Sequence, residues 1–369
     1  MIRKILFWSH LVAGCLGGLI ILLMSVTGVL LTYERQMQTR AEIGAFIVAA
    51  PSTSASKLPM EDLLGRQTWT GTPTISMRSS ASAPVEVNRG KAGVVYLDPY
   101  SGQELGKPNL ARREFFQKVR AWHRWLAWEG EWRAWGKAVT GACTLAFAFL
   151  VLSGMYIWIP RVWRWKHIRP VTWFRGGLSG KARDFNWHNT IGIWSAVPLF
   201  FVIISALPIS YPWANELIYR VTGTEMPKAA NTPAPKGTPN AAGIDRLLEV
   251  AKREPGWQSV SFRLEPGDGP MTFTVDRGDG GQPQLRSTIT LDRSAATVIK
   301  SEKFEDFNLG RKVRSFSRFL HTGEALGMVG QTVAGIVSAG GVVLVWTGIA
   351  LSLRRFSAWR RKTMTQSPS

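Results

Sequence analysis

Residues 6–32 read LFWSHLVAGCLGGLIILLMSVTGVLLT, an apolar run whose one ionisable group, cysteine aside, is His10. A helix rising about 1.5 Å per residue needs about 20 apolar residues to cross a hydrocarbon core of about 30 Å, and this run suffices. Arg3 and Lys4 precede it and Val48-Ala49-Ala50 loosely resembles a processing site. The run nevertheless exceeds the roughly 7 to 15 apolar residues of a signal peptide, and the charged segment 34–40 intervenes, so an uncleaved anchor is expected. A histidine at the edge of such a segment costs several kcal/mol unless it has a partner. The identity of that partner decides the function.

Three further stretches, 138–160, 189–213 and 325–353, have the same character. Gly, Ala, Ser and Thr relieve the Leu, Ile, Val, Phe and Trp, whereas a helix of a water-soluble core would show a polar face. The expected fold is membrane α-helical: a four-transmembrane-helix bundle built from two tandem halves, with two small α+β modules outside the membrane. The boundaries read as helix 1 at 1–33, a first module at 34–120, helix 2 with a periplasmic extension at 121–160, and a basic cytoplasmic loop at 161–187. Helix 3 follows at 188–213, a second module at 214–320, helix 4 at 321–353 and a basic cytoplasmic tail at 354–369.

Orientation follows from the short loops. Arg161, Arg164, Lys166, Arg169, Arg175, Lys181 and Arg183 crowd the second connector, and Arg354, Arg355, Arg360, Arg361 and Lys362 the tail. Both are expected inside, with both termini cytoplasmic and the two long segments in the periplasm of a bacterial inner membrane. The cluster Arg112, Arg113, Lys118, Arg120 and Arg124 lies on the outer side, where long loops translocate regardless of charge. The net charge of +20, from 45 basic and 25 acidic residues, is accounted for by topology and anionic lipid, and no nucleic-acid partner is expected. Cys15 and Cys143 are read as small apolar fillers. Trp122, Trp125, Trp128, Trp132 and Trp135 read as an interfacial belt.

The chain repeats itself. His10, Gly14 and Thr27-Gly28 match His188, Gly192 and Ser205-Ala206 at one constant offset. Gly136, Val139, Gly141 and Ser153-Gly154 match Gly330, Val333, Gly335 and Thr347-Gly348 at another. The glycines are read as close helix contacts, and the repeat as a parallel duplication. Between the helices, residues 93–102 alternate and then turn, and 287–293 occupy the corresponding place. Residues 244–253 read as a short amphipathic helix ahead of strands at 259–264 and 271–276, and the Pro-, Thr- and Ala-rich 231–240 as a linker.

These features together resemble one family. His10-Leu11 with Gly14 and Thr27-Gly28, Val95-Tyr96-Leu97-Asp98-Pro99 with Ser101-Gly102, His123-Arg124-Trp125-Leu126, Ser153-Gly154 before Trp158, and His321-Thr322-Gly323 are similar to the PepSY-domain proteins with PepSY-associated membrane helices. That group includes iron-regulated inner-membrane proteins and ferric-siderophore reductases. The resemblance covers nearly the whole chain and implies PepSY-like modules. The second module departs from the pattern at Arg293-Ser294, where Pro and a turn are expected.

With the N-terminus inside, His10 and His188 lie at the cytoplasmic level and His123 and His321 at the periplasmic level. Two levels of two histidines fit bis-histidine axial ligation of two b-type haems, since facing helices supply ligands from opposite sides of a flat macrocycle. The outer pair carries an inconsistency: on the glycine alignment His123 stands four residues farther out than His321, about 6 Å along a continuous helix, so either Gly130 bends the chain or the haem tilts. His167 falls outside the scheme and is read as a surface residue. No Cys-x-x-Cys, His-Glu-x-x-His or glycine-rich nucleotide motif is present, so flavin or NAD(P)H belongs to a partner reductase serving as cytoplasmic electron donor.

The reading is therefore an oxidoreductase, a transmembrane electron conduit with no catalytic acid, base or nucleophile of its own. The family resemblance implies a ferric siderophore as acceptor; apart from it, the periplasmic modules with the basic residues Arg112, Arg113 and Arg120 are expected to supply the docking surface. The rivals are a haem-bearing membrane subunit exchanging electrons with quinone or a separate reductase, and a non-enzymatic PepSY binding or sensor protein.

Overall fold

The structure is a computed structural model that describes residues 1–49, 52, 55–69, 71–227 and 237–365. The expected linker at 231–240 lies outside the described residues as far as 236, as do Ala50 of the processing-like site and the tail from 366. The first half contains α1 (Ile2–Leu31), α2 (Glu34–Ala45), α3 (Met60–Gly65), β1 (Thr74–Arg78), β2 (Val85–Asn88), β3 (Val94–Leu97), β4 (Glu104–Gly106), α4 (Leu110–Trp125) and α5 (Trp132–Trp158). After α6 (Trp165–Thr172) come α7 (Gly180–Ser210), α8 (Pro212–Val221), α9 (Ile244–Ala251), β5 (Ser259–Arg263), β6 (Met271–Asp276), β7 (Arg286–Leu291), β8 (Val298–Lys303), α10 (Leu309–His321) and α11 (Gly327–Thr365). The chain divides into a helical unit, Met1–Tyr33, Phe116–Leu217 and Ser317–Ser369, and a sheet unit, Glu34–Phe115 and Ile218–Phe316.

In the helical unit four helices are long and apolar enough to cross a membrane: α1, α5, α7 and α11, the first and last extended by adjoining segments. α1 packs on α5 and α11, and α7 packs on the same two, so α1 and α7 stand diagonally across a four-sided bundle. Ala148, Val151, Ala196, Leu199, Ile203 and Val337 fill its interior. The outward side chains are just as apolar: Leu16 is 82% exposed and Val329 75%. A face of that composition demands lipid rather than water. These features make the protein membrane-embedded.

The segment read as helix 2 with its extension bends near Gly130. It is broken, not continuous: α4 ends at Trp125, residues 126–131 turn with positive φ at Leu126, Ala127 and Gly130, and α5 starts at Trp132. The fold-back needs a bare backbone at Gly136, where a Cβ would collide with the Trp125 carbonyl oxygen. The corresponding Gly330 of α11 meets the Gly323 carbonyl in the same way after α10. The third helix begins eight residues before His188, and the basic tail continues α11 as helix through Thr365. At the N-terminal end of α7 the buried Asp184 pairs with Arg354 of α11 at 2.7 Å and with Arg183 at 2.9 Å.

The sheet unit obeys strand alternation. Along β7 every second residue is buried, and Ile75, Val87, Leu97, Phe262, Phe273 and Leu291 line the face covered by α3 and α9. One face buried and one solvated is the usual state of an antiparallel sheet. Each fully buried Leu or Phe contributes about 1.5–3 kcal/mol. The two expected modules do not stand apart. β1 pairs antiparallel with β5 from Thr74↔Arg263 to Arg78↔Ser259, giving one eight-stranded sheet in the order β4-β3-β2-β1-β5-β6-β7-β8. Asp245 of α9 also caps α3, accepting from the backbone N–H groups of Met60 at 2.7 Å and Glu61 at 3.0 Å.

Arg293-Ser294 does not derail the second set of strands. Asp292 accepts from the Ala295 N–H at 2.8 Å, as Asp98 accepts from the Tyr100 N–H at 2.7 Å, so both turns close on an aspartate. The Arg293 side chain is buried and donates to the carbonyls of Ala242, Glu265, Gly267 and Asn240. It pins the approach to α9 in place of a proline.

Candidate functional site

The helical unit carries the four histidines of interest on four helices: His10 near the start of α1, His188 near the start of α7, His123 near the end of α4 and His321 at the end of α10. Each ring nitrogen Nδ1 has a partner on another helix. His10 Nδ1 lies 2.8 Å from Ser153 Oγ of α5, and His188 Nδ1 lies 2.9 Å from Thr347 Oγ1 of α11. His123 Nδ1 lies 2.9 Å from Thr27 Oγ1 of α1, and His321 Nδ1 lies 2.9 Å from the Val202 carbonyl oxygen of α7.

These partners fix the tautomers. The Ser153 hydroxyl donates to the Phe149 carbonyl at 2.6 Å, Thr347 to Val343 at 2.7 Å and Thr27 to Leu23 at 2.7 Å. A hydroxyl has one proton, so toward the imidazole each must accept. A carbonyl can only accept. All four rings are therefore Nδ1–H tautomers, which leaves the Nε2 lone pair of each free for a metal. That is the arrangement metal-binding histidines adopt, donating the distal N–H to a second group. None of the four side chains is fully covered.

The same bonds sort the histidines into levels. Residues near the starts of α1 and α7 meet residues late in α5 and α11, and His123 and His321 meet residues late in α1 and α7. His123 and His321 face each other with ring centroids 6.0 Å apart and planes 48° apart. A metal lies roughly 2 Å from a coordinating ring nitrogen, so two imidazoles on opposite sides of one ion have centroids about 6 Å apart. The His123–His321 pair is thus spaced for a shared metal, and the break between α4 and α5 removes the offset that a continuous helix would impose. His10 and His188 occupy the diagonal helices α1 and α7, each near the helix start. His167 lies exposed on α6. Among the described residues no group of three or more His, Cys, Asp and Glu gathers to hold a bare metal ion. A metal held by either pair must draw its remaining ligands from elsewhere.

The expected docking arginines fare differently. Arg113 is already engaged: its Nε donates to Glu42 Oε1 at 2.7 Å and its Nη2 to the Tyr96 hydroxyl at 3.3 Å, while Tyr96 donates to Glu42 Oε2 at 2.6 Å. Burial, then the Glu42 bond, pushes the Tyr96 phenol far above its ordinary range. Burial opposes the Arg113 charge, but Glu42 holds its pKa above the usual value. Burial and the neighbouring Glu42 raise the carboxyl of Glu86. Arg113 is therefore part of a structural ion network in the sheet unit. Arg112 and Arg120 are half-buried, Arg112 in the sheet unit and Arg120 in the helical unit.

The sequence reading missed the hydroxyl partners, although it singled out their positions. Thr27-Gly28, Ser153-Gly154 and Thr347-Gly348 served as repeat markers and their glycines as packing devices. The available signal was a hydroxyl residue followed by glycine, opposite a histidine in the repeat.

Comparison with curated proteins gives no significant match. A family model described as the PepSY-associated TM region matches residues 7–355, and the protein belongs to the PepSY-associated transmembrane family.

Proposed function

We propose that the protein is a di-haem electron conduit of a bacterial inner membrane, taking electrons from a cytoplasmic donor and reducing ferric siderophores in the periplasm. The observation that carries this reading is the set of four Nδ1–H histidines, sorted into two levels of two. A haem at each level would supply a one-electron couple and be held by two histidines. His10 and His188 would hold the inner group, His123 and His321 the outer. With both axial positions filled, such centres suit electron transfer rather than oxygen binding.

The chain's own residues have limited tasks. Ser153, Thr347, Thr27 and the Val202 carbonyl orient the imidazoles, and no acid, base or nucleophile is required. Reduction to ferrous iron weakens its hold on hard oxygen ligands, so one-electron transfer favours release from a siderophore. The basic residues of 161–183 and of the tail support cytoplasmic placement of both termini, with the sheet unit periplasmic. The matched offsets and the strand order about the β1–β5 pair favour a tandem duplication of one helix–module–helix unit, and we read each strand set as a PepSY-like module.

The test uses the purified full chain. Its haems are reduced with dithionite, excess reductant is removed, and a ferric siderophore or a quinone is added. Reoxidation by the ferric siderophore supports the proposed substrate; reoxidation by quinone alone assigns the protein to quinone-linked electron exchange.

A further inference from the structure

The three hydroxyl–glycine pairs differ from Ser195, Thr144 and Ser352 of the same bundle. Ser195, Thr144 and Ser352 only donate to the carbonyl four residues back, the ordinary state of Ser and Thr in membrane helices. Ser153, Thr347 and Thr27 make that bond and also accept from an imidazole N–H. In each pair the following glycine lies under the same ring. A Cβ at Gly154 would stand 3.3 Å from His10 Cε1, one at Gly348 3.4 Å from His188 Cε1, and one at Gly28 3.7 Å from His123 Cε1. The hydroxyl fixes the ring's rotation and proton; the glycine keeps the approach clear at Gly154, where a Cβ would be tight, while at Gly348 and Gly28 a Cβ would make ordinary contact with the ring. The fourth position is Ser205-Ala206, where the Ser205 hydroxyl donates at 2.9 Å to Val202, the carbonyl that also takes the His321 N–H.

We infer that Ser153, Thr347 and Thr27 are positioning residues that tune the midpoint potentials of the two metal centres through the Nδ1–H bonds of His10, His188 and His123. The inference rests on the di-haem reading. A hydrogen bond from the distal N–H makes the ligating nitrogen more basic. A more basic ligand favours the ferric over the ferrous state, so each bond lowers the potential of its own centre. Ser153 and Thr347 act on the inner centre and Thr27 on the outer. Ser205 polarises the acceptor of His321 and acts one bond removed.

The experiment is a spectroelectrochemical titration of the full chain with its haem content measured in parallel. Ser153→Ala and Thr347→Ala are expected to raise the same one of two midpoints and leave the other in place. Thr27→Ala raises the other. Ser153→Thr and Thr347→Ser return the shifted midpoint toward the wild-type value. If an alanine variant instead loses one haem while its hydroxyl-retaining counterpart keeps it, the hydroxyl is still the determinant and the inference stands. Wild-type midpoints and full haem content in all three alanine variants overturn it, as does an alanine variant indistinguishable from its hydroxyl counterpart. A wild-type protein without haem strikes at the di-haem reading itself and is recognised before any variant is made.

Discussion

The first half of the chain and the second solve the same structural problem with different residues. Both place a histidine at the start of a membrane helix and a second on a short helix that folds back over a glycine. Both pass through two helices and four strands between them. In the first half the short-helix histidine meets the Thr27 hydroxyl; in the second it meets the Val202 carbonyl, with Ser205 displaced onto that same carbonyl. The turn after β3 has Gly102 at φ +75°, and the matching turn after β7 has Ala296 at φ +54°. What both halves keep is an acceptor for each Nδ1–H. Its chemical type is free to vary.

The largest break is removal of a ligand. His188→Ala is expected to remove one of two haems and leave the other, and His10→Ala to remove the same one, whereas His321→Ala and His123→Ala remove its counterpart. Haem-to-protein ratios of the four variants check the grouping, and loss of different haems by His10→Ala and His188→Ala would break the pairing.

Next in size is the fold-back. Gly136→Val and Gly330→Val place a side chain against a backbone carbonyl, a steric insult of about 1–3 kcal/mol or more. Both should deplete the outer haem selectively, because His123 and His321 depend on those turns and His10 and His188 do not. Depletion of the inner haem instead would show that the turns serve another purpose.

A smaller effect separates the halves by pH. Glu86, in the first half only, has its carboxyl pKa raised by burial and by Glu42. A raised carboxyl contributes its stability below the unfolded-state value, near pH 4, and that contribution is lost as pH rises through the folded value. At neutral pH ionised Glu86 therefore opposes folding. Glu86→Gln should raise the thermal midpoint of the sheet unit at pH 7, with the gain disappearing below about pH 4. A lower midpoint at pH 7 would mean that the charged form serves Arg113.

The smallest effect exchanges the turn residues. A non-glycine residue in the left-handed region costs roughly 1–2 kcal/mol, partly offset by the flexibility glycine adds to the unfolded chain. Ala296→Gly should stabilise by about 0.5–1 kcal/mol and Gly102→Ala destabilise by about 1 kcal/mol in denaturant titrations. Opposite signs would show that the two turns are not equivalent.

Much of this was legible in the sequence because its signals are periodic. The run at 6–32 and its three counterparts announce the four helices, and residues 93–102 show their strand by alternation. The histidines were found by their placement at segment ends, and their sorting by level needed only the direction of each helix. Other features depend on contacts between residues distant in the chain. Pairing of β1 with β5 involves backbone groups that carry no sequence signature, so one sheet was read as two modules. In the sequence the break after Trp125 stays open between a bend and a tilted haem, because Gly130 alone does not tell a turn from a kinked helix. In the sequence Arg113 reads as a docking residue, because Glu42, its partner, lies 71 residues away. The role of Ser153 and Thr347 was hidden because a hydroxyl in a membrane helix usually serves its own backbone.

The central claim is that the four histidines hold two haems in pairs. The absorption spectrum and haem stoichiometry of the purified full-length protein test it most directly. The expected result is a Soret band of low-spin bis-histidine haem b with two haems per chain, reduced to one by His10→Ala. A chain without a Soret band, or a haem content unchanged by His10→Ala and His188→Ala, would contradict it.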